Sequence, residues 1–80
     1  MTTDVYAAGV VYFQLFCGAP PFDAETVAEL LGKHMRQPPP RPRSLRADLP
    51  VDIELAILRA LEKAPSHRFP SARELGEALR

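Results

Sequence analysis

The stretch DVYAAGVVYFQLFCGAPPF, residues 4–22, decides how this chain is read. It opens with an acid and runs almost without polar relief to a glycine and two prolines. Placed on a helix at about 100° per residue, Val5, Tyr12 and Phe16 share one side, Tyr6 and Phe13 lie beside them, and Val11 and Leu15 fall on the far side. Only Ala7 and Gln14 mark a narrow, weakly polar strip. Thr3 or Asp4 is expected to cap the first turn, because a short oxygen-bearing side chain accepts from its free N–H groups. Gly18 and Pro20 end the helix. A helix apolar almost all round is normally enclosed on all sides.

The surroundings of that helix are scant. At 80 residues the chain is one small domain or a piece of a larger one, since a chain of this length buries only roughly 60 to 65% of the surface it exposes when unfolded. The run from Val5 to Ala19 contains Gln14 and stops at two prolines, short of the roughly 20 residues needed to cross a bilayer. Thr2, Thr3 and Asp4 precede it, where a signal peptide would carry basic residues. Ten basic and ten acidic residues cancel, so no net field draws the chain to nucleic acid or an anionic membrane. The single cysteine, Cys17, lies in the most apolar stretch and reads as a packing residue in a reduced, cytoplasmic setting.

Three further helices follow. The second spans Ala24 to Arg36 with Asp23 as cap, its apolar stripe formed by Val27, Leu30, Leu31, His34 and Met35 at offsets 0, 3, 4, 7 and 8. His34 continues the stripe as a packed or edge residue, with no second metal-binding side chain near it in sequence. Residues 37–50, QPPPRPRSLRADLP, form a linker of polyproline II character, because proline lacks a donor and drives the preceding residue toward an extended backbone. The third helix runs from Val51 to Lys63 with Ile53, Ala56, Ile57, Ala60 and Leu61 on one face. After the loop APSHRFP, Ser71 and Glu74 stand in capping-box spacing, and the last helix runs to Leu79, burying Ala72, Leu75 and Leu79. The fold class is therefore all-α: four helices, no strand and no internal repeat. The helices are short, and two of them are separated by a long loop, so they are not expected to enclose the first completely.

These residues carry a resemblance. TDVYAAGVVYFQLFCGAPPF, a helix, a proline-rich stretch, DLP, and a helix ending in LRALEKAPSHRFPSARELGEAL resembles the last part of the large lobe of a serine/threonine protein kinase of the bacterial type. It covers essentially all 80 residues. The resemblance implies that the first helix is the central helix of that lobe, with the other elements packed around it. It implies that the acid matching Asp4 holds the backbone of the catalytic loop, that Gly9 allows close packing, and that the arginine matching Arg68 pairs with a glutamate at the end of the activation segment. Both partners would lie upstream of residue 1. The chain departs from the family pattern at Ala64, where an acid usually stands between the lysine and the proline, and at Ala8, where a larger apolar residue is common.

The family reaction so implied is ATP-dependent phosphorylation of protein serine or threonine, with ATP and magnesium as cofactors of the full domain. That chemistry needs a glycine-rich cover, a strand lysine paired with a helix glutamate, a catalytic loop and a magnesium-binding aspartate motif. None is in this sequence. The glycines stand apart at 9, 18, 32 and 76, and Asp23, Asp48 and Asp52 fall at helix starts or in the linker, where capping explains them. No catalytic, cofactor-binding or metal-binding residue is assigned, and the chain alone is expected to be inactive. Ser66 and His67 are adjacent without an orienting carboxylate, so they read as loop.

For the isolated chain Asp4 reads as a helix cap and Arg68 as solvent-exposed. Arg36, Pro39 and Pro42 match an R-x-x-P-x-x-P pattern of the kind polyproline-reading domains dock, although a solvated linker is the default reading. Arg41, Arg43 and Arg46 form a basic cluster with no interleaved aromatics, which argues against single-strand nucleic-acid binding. Two functional readings stand: a partial kinase domain over residues 1–80, or a small helical interaction module using the exposed first helix or the proline-rich linker. Expected partners are another protein or the missing kinase segment, with self-association through the apolar first helix.

Overall fold

The computed structural model describes residues 2–79. In chain order it holds α1 (Thr2–Cys17), α2 (Val27–Arg36), α3 (Pro42–Leu45), α4 (Val51–Ala60), a 3₁₀ turn (Pro65–His67) and α5 (Ala72–Ala78). No strand occurs among the described residues, and no helix among them is long and apolar enough to cross a membrane.

The core forms where α1 lies against α4 and α5. Val5, Ala56, Ala60, Phe69 and Leu75 make one buried cluster, and Phe13, Ile57 and Leu61 make a second. Small residues set the approach of α1 to α4: a Cβ on Gly9 would sit 2.8 Å from the Cβ of Ala60 and 3.2 Å from Cδ2 of Leu61. Gly18 ends α1 with φ +78°, and its N–H donates to the carbonyl of Gln14 at 2.9 Å. This is the left-handed helix exit that glycine adopts without a Cβ penalty.

The helix starts differ from expectation in two places. α1 begins at Thr2, so Asp4 is a first-turn residue, favourably placed against the helix dipole, and not the cap; the side chain of Thr3 lies outside the described residues. α2 begins at Val27, three residues later than a cap at Asp23 would set it. Thr26 is its cap, the hydroxyl accepting from the N–H of Glu29 at 3.1 Å, while Asp23 accepts from the N–H of the adjacent Ala24 at 2.9 Å. Thr26 and Glu29 stand in capping-box spacing, the local signal that outranks Asp23. Ser71 caps α5 by accepting from the N–H of Glu74 at 3.2 Å. α5 ends at Ala78, one residue short of Leu79; it buries Leu75 fully, Leu79 just after it is half-buried, and Ala72 is exposed.

The stretch expected to be a solvated linker is anchored and contains a turn of helix. Pro42 opens α3 at its first position, where the missing N–H costs no hydrogen bond. Buried Glu54 completes the start, one carboxylate oxygen accepting from the N–H of Arg43 at 2.9 Å and the other from Nη1 of Arg41 at 3.5 Å. Arg46 donates to the carbonyl of Phe16 at 3.2 Å and to Asp48 at 3.2 Å. Pro42 and Leu49 are buried. α4 stops at Ala60 rather than Lys63, because Ala64 precedes Pro65 and takes the extended backbone (φ −81°, ψ 119°) that proline imposes on its neighbour.

Two apolar surfaces remain open. On α1 the strip Asp4, Ala7, Val11, Gln14 and Leu15 faces solvent, with Val11 56% and Leu15 72% exposed. On α2 no residue is buried. Val27, Leu31 and Met35, expected on its dry face, are all exposed.

Candidate functional site

Aromatic and basic side chains from four segments meet beside the start of α1. Tyr6 comes from α1, Phe22 from the turn after Pro20-Pro21, His34 from α2, and Lys63 and Arg68 from the two sides of the 3₁₀ turn. The hydroxyl of Tyr6 lies 2.6 Å from Nδ1 of His34. The imidazole stands edge-on to both Tyr6 and Phe22, with ring centroids 5.6 and 4.9 Å away. The guanidinium of Arg68 lies 4.9 Å from the Tyr6 ring centre, and the ammonium of Lys63 lies 4.7 Å from that of Phe22 and 5.9 Å from that of Tyr6. Each cation gains from the negative face of a ring.

Burial and like charge set the electrostatics. Burial pushes the His34 pKa down, and the Lys63 ammonium pushes it further. Burial lowers Lys63 as well, with Arg68 adding to the effect and Glu62 opposing it. Tyr6 is raised by burial against the pull of Arg68, so its hydroxyl stays protonated at neutral pH. Nζ of Lys63 is buried without a hydrogen-bond partner among the described residues.

The positions singled out from the sequence fall in different places. Arg68 belongs to this cluster and is not a solvated arginine: Nε donates to the carbonyl of Glu62 at 2.7 Å and Nη2 to that of Lys63 at 3.2 Å, which ties down the chain leaving α4. Gly9 lies one helical turn along α1 from Tyr6, pressed on Ala60. Asp4 is exposed on the open strip of α1. The Arg36, Pro39 and Pro42 pattern is broken up, because Pro42 is fully buried as the first residue of α3 while Arg36 ends α2. They do not present one accessible polyproline face. Cys17 packs as expected, half-buried, its thiol 3.7 Å from the carbonyl of Pro42 and raised in pKa chiefly by burial. Tyr6, Lys63 and Glu54 were not singled out by periodicity. A tyrosine on an all-apolar helix, and a glutamate on the helix face carrying Ile57 and Leu61, are the signals that point to them.

The cluster contains no nucleophile with a base and orienting acid. No group of three His, Cys, Asp or Glu side chains able to hold a metal occurs among the described residues, and no glycine-rich turn is present to cradle a phosphate. These residues do not fit magnesium-ATP. What the cluster does is join the start of α1, the turn at Phe22, α2 and the end of α4.

No family model matches the chain. It is 37% identical over 78 residues to the serine/threonine-protein kinase PksC of Streptomyces coelicolor, covering 98% of this chain and 13% of the relative. It is 34% identical over 77 residues to a probable serine/threonine-protein kinase of Clostridium acetobutylicum, covering 96% of this chain and 12% of the relative. With Pkn1 of Myxococcus xanthus it shares 41% identity over 76 residues, 95% of this chain and 11% of the relative. Among solved structures, the kinase domain of Mycobacterium tuberculosis PknI, a cysteine-to-alanine mutant, superposes with a TM-score of 0.73 and 35% identity over 98% of this chain and 26% of that one. The chain thus spans a small part of the length of each relative. In sequence and in fold, these 80 residues correspond to the C-terminal part of the large lobe of a bacterial serine/threonine protein kinase.

Proposed function

We propose that this chain is a scaffold segment of a serine/threonine kinase lobe, silent by itself, whose part in ATP-dependent phosphorylation of protein serine or threonine requires the remainder of a kinase domain packed on α1. The observation that carries this reading is the open strip of α1, where Val11 and Leu15 are 56% and 72% exposed. A helix apolar on every side is an interior element, yet this chain leaves the side of α1 that carries Val11 and Leu15 uncovered. Asp4 faces out along the same strip, where an added segment would bring backbone donors to its carboxylate. The missing phosphate- and magnesium-binding motifs support silence of the chain alone.

The test has two halves. Incubated with magnesium-ATP and a general protein substrate, the purified chain should incorporate no phosphate. Mixed with the complementary part of a related bacterial kinase domain, itself inactive, it should restore phosphorylation. Phosphate transfer by the chain alone, or failure of every complementary part to bind it, overturns the reading.

The same strip favours a second reading, a helical interaction module that associates through α1. Size-exclusion chromatography with light scattering separates the two. A discrete dimer that does not exchange for the complementary kinase part supports the module, and a dimer or aggregate that dissolves into a complex with that part supports the scaffold.

A further inference from the structure

The basic cluster of Arg41, Arg43 and Arg46 surrounds a hydroxyl. In the stretch RPRSLRAD, residues 41–48, Ser44 follows Arg41 by three residues and Arg43 by one, and Arg46 comes two later, against one acid, Asp48. Ser44 is exposed on α3, and its hydroxyl donates to the carbonyl of Arg41 within the same turn. The guanidiniums before it are loosely engaged. Arg41 reaches Glu54 through Nη1 at 3.5 Å with its side chain 73% exposed, and Arg43, also exposed, donates to the carbonyl of Ala47 at 3.3 Å.

The other described serine and threonine side chains lack this setting. Thr26 caps α2 among Asp23, Glu25 and Glu29. Ser66 and Ser71 each follow a cation by three residues, Lys63 and Arg68, but Nζ of Lys63 is buried and Arg68 donates to the carbonyls of Glu62 and Lys63. Ser71 is also the cap of α5. An acceptor segment must be extended to enter an enzyme's groove, and α3 is a slight obstacle: a single turn has no helical stability of its own. The backbone is already extended on either side, at Arg41 (φ −69°, ψ 129°) and Arg46 (φ −142°, ψ 91°). Buried Pro42 and the bond from the Arg43 N–H to Glu54 hold the turn, so they set how often it opens.

We propose that Ser44 is a phosphorylation site, modified by a separate arginine-directed serine kinase whose carboxylates take up the guanidiniums of Arg41 and Arg43. Arginine and carboxylate pair in bidentate geometry, which the buried Lys63 and the engaged Arg68 do not offer beside Ser66 and Ser71. Oγ of Ser44 bonds to the γ-phosphorus of ATP as the bond from that phosphorus to the β,γ-bridging oxygen breaks; ADP leaves with the electron pair, and the hydroxyl proton passes to the kinase's catalytic aspartate. The product adds about −1.5 to −2 charges at neutral pH to a stretch of three cations and one anion, so it offsets local like charge. The site does not involve the open strip of α1, and it stands whether or not the scaffold reading does.

Incubation of the purified 80-residue chain with magnesium-ATP and the catalytic subunit of cyclic-AMP-dependent protein kinase tests the proposal, with an acid-directed casein kinase as the control. Fragmentation mass spectrometry should place phosphate on Ser44, at a rate about tenfold or more above that with the acid-directed enzyme, whose basic groove repels the arginines. Ser44→Ala should abolish incorporation. Arg41→Gln, on an exposed side chain, should slow it about tenfold, the loss expected for one charge-assisted contact. Glu54→Ala, which frees the Arg43 N–H, should speed it several-fold. A synthetic peptide of residues 38–49 gives the rate with no turn to open, and the folded chain should come within about a hundredfold of it. Phosphate on Ser66 or Ser71 in place of Ser44 overturns the proposal. So does an unchanged rate in Arg41→Gln, and so does modification of the peptide with none of the chain. Should Glu54→Ala lose its helical circular dichroism, the unchanged chain, the peptide and Arg41→Gln decide alone.

Discussion

At the scale of single residues, two positions set the geometry of the core. Gly9 lets α1 approach α4 until a Cβ would stand 2.8 Å from the Cβ of Ala60, an atom fixed to the helix backbone that cannot swing aside. Gly9→Ala should therefore destabilise the chain by about 1–3 kcal/mol despite alanine's better helix propensity, seen as a lowered urea midpoint; an unchanged midpoint would show that the helices can separate at no cost. Glu54 is the second. Its carboxylate, 4% exposed as a residue, holds the N–H of Arg43, so Glu54→Ala should cost about 1–3 kcal/mol by leaving that donor unpaired. Amide exchange should speed up at Arg43 first. Gly9 was legible in the sequence as a place of close packing because the resemblance marked it. Glu54 was not, since a glutamate in an amphipathic helix ordinarily lies on the wet face and nothing local reveals that a turn eleven residues earlier will need its oxygens.

At the scale of elements, existence was more legible than extent. α1 stands close to where its periodicity puts it, α5 where its periodicity and its Ser71 cap put it, and α4 starts at Val51 as expected. α2 shows why the rest was not legible. Its stripe of Val27, Leu31 and Met35 has the spacing of a buried face, yet periodicity reports only which residues lie together, and not whether another element covers them. α2 joins the core chiefly through His34, between Tyr6 and Phe22. That attachment depends on pH. Unfolded His34 takes up its proton near pH 6.5, whereas the folded residue does so at lower pH because burial and Lys63 disfavour the cation. The contribution of His34 is thus complete above about pH 6.5 and is lost as pH falls below it. Hydrogen exchange of α2 amides relative to α4 amides, corrected for intrinsic rates, should accelerate between pH 7.5 and 5.5. In His34→Phe the difference should vanish.

At the scale of the whole molecule, the chain has an inside on one flank and bare apolar helix on another. Val11→Glu combined with Leu15→Lys should leave the helical circular dichroism unchanged, because neither side chain enters the core, while shifting the chain toward monomer in light scattering. A loss of helix would show that the strip is covered in solution. The same variant should no longer bind a complementary kinase part, which links the prediction to the scaffold reading. The carboxylate of Glu54 also bears on the order of assembly. α3 is a single turn whose first amide is held from a later helix, and a lone turn has no stability of its own in water. It can form only after α4 has settled against α1, at the end of the route to the native state. Substitutions in residues 42–45 should then leave the refolding rate nearly untouched and appear almost wholly as faster unfolding.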